Sequence, residues 1–433
     1  MAPKYKAPRG TQDVLPQVSW RWQRVEAAFR EICRRYGYGE IRTPIFEDTE
    51  LFVRGTGEGT EIVTKQMYTF EDRGGRSLTL RPEGTPSVVR ACLERGLAPG
   101  AVQKLYYIAP IFRYERPQAG RYRQHTQLGL EAIGAPGPDI DAEIIALYHD
   151  FFDEIGLGGA VTHLSSIGCP NCRPGLSAAL REFFGPKFDR LCDFCRARYE
   201  TNPLRILDCK VPADIELRKG APSALDHLCD DCRAHFDAVR TCLDTLGVPY
   251  ELDPTIVRGL DYYTRTAFEV VHPELGAKDV IIGGGRYDGL AEMLGGEPTP
   301  GIGFGCGMER LLLVLGEGDS APGPEVYVAV ASPDARRPAL ALGLELRRAG
   351  LSTELDYTGR SLKAQMREAA RLGVRLTALL GTDELEAGLV SVRDMATGDQ
   401  QSVPRAEAAR RVAATLSRAE TQAEDASGDE DRQ

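Results

Sequence analysis

Lys104-Leu105-Tyr106-Tyr107-Ile108-Ala109-Pro110-Ile111-Phe112-Arg113-Tyr114 runs through Glu115 into the loop Arg116-Pro117-Gln118-Ala119-Gly120-Arg121-Tyr122-Arg123. A second strand-like run, Gln124 to Ile133, follows. Two apolar runs around a loop that contains Pro and Gly read as an antiparallel hairpin. Arg113 stands between Phe112 and Tyr114, and a charge among apolar residues needs a partner. Arg113, Arg116, Arg121 and Arg123 share this hairpin, and the planar fork of a guanidinium matches phosphate oxygens. Glu115 and Glu131 bring carboxylates to the two strands. Taken alone, the loop reads equally well as a solvated, arginine-rich turn.

Working outward, Ser19 is placed to cap a helix running to Tyr36. Trp22, Val25, Phe29, Ile32 and Tyr36 recur at three- and four-residue steps and make one apolar face, and Gly37 ends it. Glu40 to Phe46 reads as an edge or bent strand, because Pro44 lacks an N–H. Arg81-Pro82-Glu83-Gly84-Thr85 follows Leu78-Thr79-Leu80; an acid there suits an α-amino group, while Thr85-Pro86 suits a helix start. Asp139 to Ile155 is a further helix.

Strand signals return at Ala267–Val271 and Val280–Ile282. Before them stands Arg258-Gly259-Leu260-Asp261-Tyr262-Tyr263-Thr264; taken alone it reads first as a strand end with packed tyrosines, and its acid and two phenols would also wall an imidazole or amine. Gly283-Gly284-Gly285-Arg286-Tyr287-Asp288 lacks the Lys and Ser/Thr of a phosphate loop and is expected to be a tight turn beside a ligand. Gly301, Gly303, Gly305 and Gly307 alternate rather than following G-x-G-x-x-G; alternate glycines in a strand let a flat ligand lie on the backbone. Met308-Glu309-Arg310 then opens a helix with a guanidinium in its first turn.

The organisation this predicts is a core in two pieces, 1–164 and 254–318, interrupted by a Cys-rich insertion at 165–253. Gly316 to Pro324 is a linker. Strands at Val326–Val330, Ser352–Leu355, Leu376–Leu380 and Leu389–Asp394, with helices at Arg337–Ala349 and Leu362–Leu372, make a small α/β domain over 325–416. The tail, 417–433, carries six acids and two arginines and no aromatic residue, a composition that predicts disorder.

Eleven cysteines are present, seven of them between Cys169 and Cys232. Cys169-x-x-Cys172 and Cys192-x-x-Cys195, nineteen residues apart, have the spacing of a structural zinc site. Cys209, Cys229 and Cys232 either stand apart from it or build a second site, with His227 or His235 as an eighth ligand. Four thiolates would leave no open position, so such a metal is structural.

The chain has 433 residues, 42% of them hydrophobic and 27% charged, with a net charge of −10. That excludes a uniformly basic nucleic-acid-binding surface but not a local basic patch. No apolar h-region follows Met1 and no run approaches the ~18 apolar residues of a membrane span, so a cytoplasmic chain is expected.

Together these segments resemble the bacterial histidine–tRNA ligases, class II aminoacyl-tRNA synthetases. Tyr38 to Phe52 is similar to class motif 1, Phe112-Arg113-Tyr114-Glu115 through Glu131 to motif 2, and Gly301 to Leu313 to motif 3. Arg258 to Thr264 and Gly283 to Leu290 match the two segments peculiar to the histidine enzyme. The resemblance implies an α+β fold: a six-stranded antiparallel sheet with flanking helices, the insertion, and a C-terminal α/β anticodon-binding domain. It also implies a homodimer that uses L-histidine, ATP with Mg²⁺, and tRNA(His).

Carried over by motif, Arg258 and Arg113 are catalytic. Glu83, Gly84, Thr85, Arg113, Gln127, Glu131, Arg258, Tyr262 and Tyr263 hold histidine. Arg113, Glu115, Arg121 and Arg310 bind ATP, and Arg9, Gln118 and Arg123 meet the tRNA acceptor end. The competing expectation is the non-catalytic, synthetase-like regulatory subunit of histidine biosynthesis, which lacks the anticodon domain. A further class is a zinc-ribbon nucleic-acid-binding protein with a degenerate core.

Overall fold

The computed structural model describes residues 5–97, 100–209, 211–257, 259–275, 280–316, 318, 321 and 323–417. The chain divides into two compact units, Met1–Asp319 and Ser320–Gln433. The acidic tail expected to be disordered and Arg258 both lie outside the described residues, except Ser417.

In the first unit the strands are Gly39–Glu40 (β1), Phe46–Asp48 (β2), Tyr68–Glu71 (β3), Ser77–Leu80 (β4), Gln103–Phe112 (β5), Gln124–Ile133 (β6), Val161–Ser166 (β7), Glu251–Leu252 (β8), Thr264–Val271 (β9), Val280–Arg286 (β10) and Gly301–Gly307 (β11). Eight of them form one sheet in the order β1-β5-β6-β11-β10-β9-β7-β8. The six inner strands, β5 to β7 in that order, are antiparallel at every junction. The short outer strands β1 and β8 add on in parallel. The hairpin expected around Arg116–Arg123 is present, with Phe112 opposite Gln124 and Gln103 opposite Ile133. Three strands, β2, β4 and β3, make a separate small antiparallel sheet.

One face of the large sheet is covered by three helices whose apolar stripes meet in a single core. Pro138–Ile155 contributes Ile144, Leu147, Tyr148 and Phe151; Pro16–Arg35 contributes Val25, Phe29 and Ile32; Asp230–Leu246 contributes Phe236, Val239 and Leu243. They pack on Leu128, Leu130, Phe268, Ile282 and Phe304 of the sheet. Phe29 lies edge-on to Phe151 at 5.3 Å and to Tyr106 at 5.8 Å. Each such side chain contributes roughly 1.5–3 kcal/mol by leaving water.

Three local expectations are corrected. The first helix begins at Pro16, with Leu15 as its N-cap, so Ser19 lies inside it; proline at N1 has no N–H to leave unpaired. Glu40 to Phe46 is not one strand: β1 and β2 belong to different sheets, and the segment between them, containing Pro44, belongs to neither. Gly283 to Arg286 is not a turn but the body of β10, between β9 and β11. Its Arg286 is fully buried in an ion pair with Asp141 (Nη2 to Oδ1, 2.7 Å) and also donates to the carbonyls of Ala135 and Gly137. A guanidinium so occupied serves packing, not a phosphate.

The second unit has Val326–Val330 (β12), Thr353–Leu355 (β13), Leu376–Leu380 (β14), Leu389–Asp394 (β15) and Gln400–Pro404 (β16), in the order β13-β12-β14-β15-β16. The first three are parallel, with Arg336–Arg348 and Leu362–Arg371 as the intervening helices, and the last two antiparallel. Sequence patterning identified all but β16, whose Gln400-Gln401-Ser402 face is exposed and has no apolar alternation.

Candidate active site

The open face of the antiparallel sheet carries a cavity of about 250 Å³. Its walls come from the end of β4, the β5–β6 hairpin, the segment before β9, strands β10 and β11 and the helix Met308–Val314. Nine of the residues assigned to histidine or ATP line it: Glu83, Thr85, Arg113, Glu115, Arg121, Gln127, Tyr262, Tyr263 and Arg310.

The basic end is built by the hairpin and the helix start. Arg113 lies just beyond β5 rather than within it; its Nε donates to the Pro82 carbonyl at 2.7 Å, which aims the guanidinium across the mouth of the hairpin. Glu115 lies between Arg113 (4.0 Å) and Arg121 (3.9 Å). Arg310 Nη1 donates to the Val280 carbonyl at 2.6 Å, tying the helix to β10. Glu309 is buried and accepts the Thr126 N–H with both oxygens, at 2.9 and 3.1 Å; burial pushes its carboxyl up to about 7.

The acidic and aromatic end lies around β6. Glu83 accepts from Thr56 Oγ1 and from the Tyr262 hydroxyl, the latter at 2.7 Å. Tyr262 stacks obliquely on Tyr263, centroids 4.7 Å apart. Gln127 accepts from the Tyr107 hydroxyl at 3.2 Å. Glu131 lies one layer beneath the cavity, where Thr85 Oγ1 and the Tyr287 hydroxyl each donate to it at 2.6 Å. Full burial outweighs those bonds and raises its carboxyl to about 8.

Gly84 is the N-cap of the helix Thr85–Arg95, and a Cβ there would run into the Tyr107 ring. Three of the alternate glycines of β11 have the same purpose, while Gly305 and Gly307 also line the cavity, where a flat ligand was expected. A Cβ on Gly301, Gly303 or Gly305 would strike Tyr287, Glu131 or Gln127 respectively. The glycines make room for neighbouring side chains, and those side chains shape the pocket. Of the residues assigned to an acceptor end, Arg123 stacks on the Tyr114 ring at 3.7 Å and donates its backbone N–H to the Gly10 carbonyl, next to Arg9. Gln118 pairs with Arg121 through the backbone at the hairpin tip.

Sequence reading passed over Tyr107, Glu309, Tyr287 and His125, all in or under this cavity. His125 is held far down, to about 3, by burial and by Arg113, so it stays neutral beside the arginines. Glu309 and Tyr287 adjoin Arg310 and Arg286, whose guanidiniums are the stronger signals in those motifs. Tyr107 has the strand-parity signal of a side chain facing the site, two residues from Leu105 and Ala109.

The cysteines divide otherwise than spacing suggested. Cys169 and Cys172 gather with Cys229 and Cys232, and Cys192 and Cys195 gather with Cys209 and Asp214; within each group the ligand atoms lie within 4.8 Å of one another. Cys169 and Cys172 follow β7, while Cys229 and Cys232 begin the helix Asp230–Leu246 that returns to the same core. The Cys192 pair stays within the short helices between them. The eighth group within reach of the cysteines is Asp214, while neither His227 nor His235 falls in either cluster; His235 Nε2 is 2.9 Å from Asp141.

Residues 10–171 and 213–311 match the family model described as histidyl-tRNA synthetase, and residues 325–415 match the anticodon binding domain. The histidine–tRNA ligase of Desulforamulus reducens is 54% identical over 402 residues, 92% of this chain and 96% of that one. The same ligase of Desulforudis audaxviator is 54% identical over 411 residues, 94% of this chain and 97% of its own. The crystal structure of apo S. aureus histidyl-tRNA synthetase superposes with a TM-score of 0.80 at 39% identity, covering 94% of this chain and 100% of that one. By family match and by identity along most of its length, the chain belongs to the histidyl-tRNA synthetase family.

Proposed function

We propose that the chain activates L-histidine with ATP and transfers it to the 3′ end of tRNA(His). The observation that carries this reading is one cavity with guanidiniums at one end and a carboxylate–phenol wall at the other, on an antiparallel sheet. Arg113, Arg121 and Arg310 take the phosphates of ATP. Glu83 and Gln127 take the α-amino group, with Gly84 and Thr85 shaping that wall, and Tyr262 and Tyr263 frame the imidazole over Glu131. Arg258, assigned by the family motif alone, would serve the histidine carboxylate and the α-phosphate.

The histidine carboxylate attacks the α-phosphate and pyrophosphate leaves; a terminal ribose hydroxyl of the tRNA then attacks the adenylate carbonyl. Arginines already fixed by Pro82 and Val280 stabilise the growing charge without reorganising. Glu115 and Glu309 are the carboxylates at the phosphate end that would share Mg²⁺ with ATP, since Mg²⁺ is held by one or two carboxylates plus phosphates. Bound there, Mg²⁺ would neutralise phosphate charge. A polar pocket rejects apolar amino acids because they leave buried groups unpaired.

Arg9, Gln118 and Arg123 meet the acceptor end of the tRNA. The functional particle is a homodimer in the cytoplasm; among the described residues no helix is long and apolar enough to cross a membrane. The anticodon-binding match at 325–415 argues against the non-catalytic regulatory subunit. The cysteine groups have the donor chemistry of structural zinc. Histidine-dependent exchange of pyrophosphate into ATP tests the assignment: exchange is expected with histidine alone among the amino acids, and its absence would overturn the reading.

A further inference from the structure

The Cys-rich segment touches the amino-acid wall at two points. Arg173, the residue after Cys172, donates from Nη2 to the Tyr263 carbonyl at 2.8 Å. Arg205, four residues before Cys209, donates from Nη2 to the Gly259 carbonyl at 2.9 Å and to Asp261 Oδ1 at 2.8 Å. Residues 259–263 form no regular element. Their carbonyls are held instead by guanidiniums, each anchored beside one cysteine group.

Both groups have metal geometry. A tetrahedral ion with Zn–S of about 2.3 Å places its sulfurs about 3.8 Å apart. Cys169 and Cys172 Sγ are 3.7 Å apart, Cys169 and Cys229 Sγ 3.8 Å, and Cys192 and Cys209 Sγ 3.8 Å. The Cys229 backbone N–H points at Cys172 Sγ (3.2 Å), as a thiolate requires. In the other group Asp214 is completely buried, 3.2 Å from Cys209 Sγ. Its carboxylate also accepts the Cys192 N–H at 3.1 Å. The buried carboxylate thus stands with three sulfurs as the fourth donor of a tetrahedral set.

We propose that the chain holds two structural zinc ions, one on Cys169, Cys172, Cys229 and Cys232 and one on Cys192, Cys195, Cys209 and Asp214, and that each fixes the arginine beside it so that segment 259–263 keeps its shape. The first ion immobilises the chain at Cys172 and hence Arg173. The second immobilises Cys209 and the helical turn Pro203–Ile206 that carries Arg205. Arg173 and Arg205 are positioning residues, acting through Gly259, Asp261 and Tyr263. What that segment recognises rests on the function proposed above; the metal count does not.

The untagged full chain, purified without chelator, should contain two zinc ions by elemental analysis. One or fewer, or iron in their place, overturns the proposal. Cys229→Ser and Cys209→Ser should each lose one ion and keep the other; loss of both or of neither from a folded variant overturns the ligand sets. If a serine variant fails to fold, cobalt reconstitution of the wild-type chain decides. The thiolate-to-cobalt charge-transfer band should then count seven thiolates over two ions, and four over one ion overturns the second site. Arg173→Ala and Arg205→Ala should keep both ions while amide hydrogen exchange across 259–264 rises about tenfold, the weight of one charge-assisted hydrogen bond. In an active preparation KM for histidine should rise with kcat and KM for ATP little changed. Unaltered exchange in both variants overturns the coupling, whether or not the chain aminoacylates.

Discussion

Gly303 of β11 lies directly opposite Glu131 of β6, and the Glu131 carboxylate fills the space a Cβ on Gly303 would occupy. The glycine is therefore part of the acid's site. In Gly303→Ala the new methyl meets both the carboxylate and the Leu130 carbonyl, so relief requires moving backbone as well as side chain. Overpacking of this kind costs ~1–3 kcal/mol. The variant should unfold at lower urea concentration, and KM for histidine should rise more than KM for ATP. An unchanged midpoint and unchanged histidine KM would refute the packing account.

Glu131 also sets a pH dependence. Its folded carboxyl is raised to about 8 from 4.5, chiefly by burial. Above the unfolded value the unfolded state releases a proton that the folded state keeps, so stability falls as pH rises. The loss runs from about pH 4.5 to about pH 8 and then levels. Glu131→Gln removes this contribution. The stability of wild type minus variant, from urea unfolding at about pH 5, 6.5 and 8, should decline steadily; a constant difference would mean Glu131 is ionised in the folded chain throughout.

The hairpin was legible because its two apolar runs and its Pro/Gly loop are local signals; its register, Phe112 opposite Gln124, is seen only in the structure. The depth of Glu131 was not legible. The second half of β6 is buried on both faces, so the alternation that separates inside from outside vanishes there. The cysteine partition was illegible for a similar reason. Spacing joins the pairs nearest in sequence, whereas Cys229 and Cys232 reach Cys169 and Cys172 only because the helix Asp230–Leu246 packs back against Pro138–Ile155. Gly283–Asp288 misled because glycines that admit Phe268 inside a sheet look like glycines of a turn.

Arg310 joins two elements as well as facing the cavity. Arg310→Lys keeps the charge but loses the planar fork, which at once bonds the Val280 carbonyl and presents donors to a ligand. Adenylate formation should fall by roughly 10²-fold or more in Arg310→Ala, the loss expected for one preorganised donor to a developing charge. Arg310→Lys should recover a minor part of it. Pre-steady-state pyrophosphate release measures this; near-wild-type rates in the alanine variant would remove Arg310 from the chemistry.

The family motif assigns Arg258 to the histidine carboxylate and the α-phosphate, and its substitution separates chemistry from folding. Arg258→Ala should abolish adenylate formation while the thermal midpoint and zinc content stay at wild-type values. Normal pyrophosphate exchange would sink the role outright.

Asp141 and Arg286 provide the sharpest test of what is structural in a segment that looked functional. Both side chains are fully buried, Asp141 on the helix Pro138–Ile155 and Arg286 at the end of β10. The guanidinium also reaches Asp288 at 3.0 Å, and His235 Nε2 faces Asp141 at 2.9 Å. Removing Asp141 leaves the fully buried guanidinium with only the less buried Asp288 as counter-ion. Asp141→Ala should therefore cost ~3–5 kcal/mol, far more than a surface pair. Replacing both with apolar residues of similar volume, Asp141→Leu with Arg286→Met, should recover much of that loss, because the burial penalty of two ions disappears with them. Urea unfolding of the two single variants and the double variant measures the coupling. If the double variant is as unstable as the sum of the singles, the two residues act independently. Arg286 would then have to be reconsidered as a ligand-binding group.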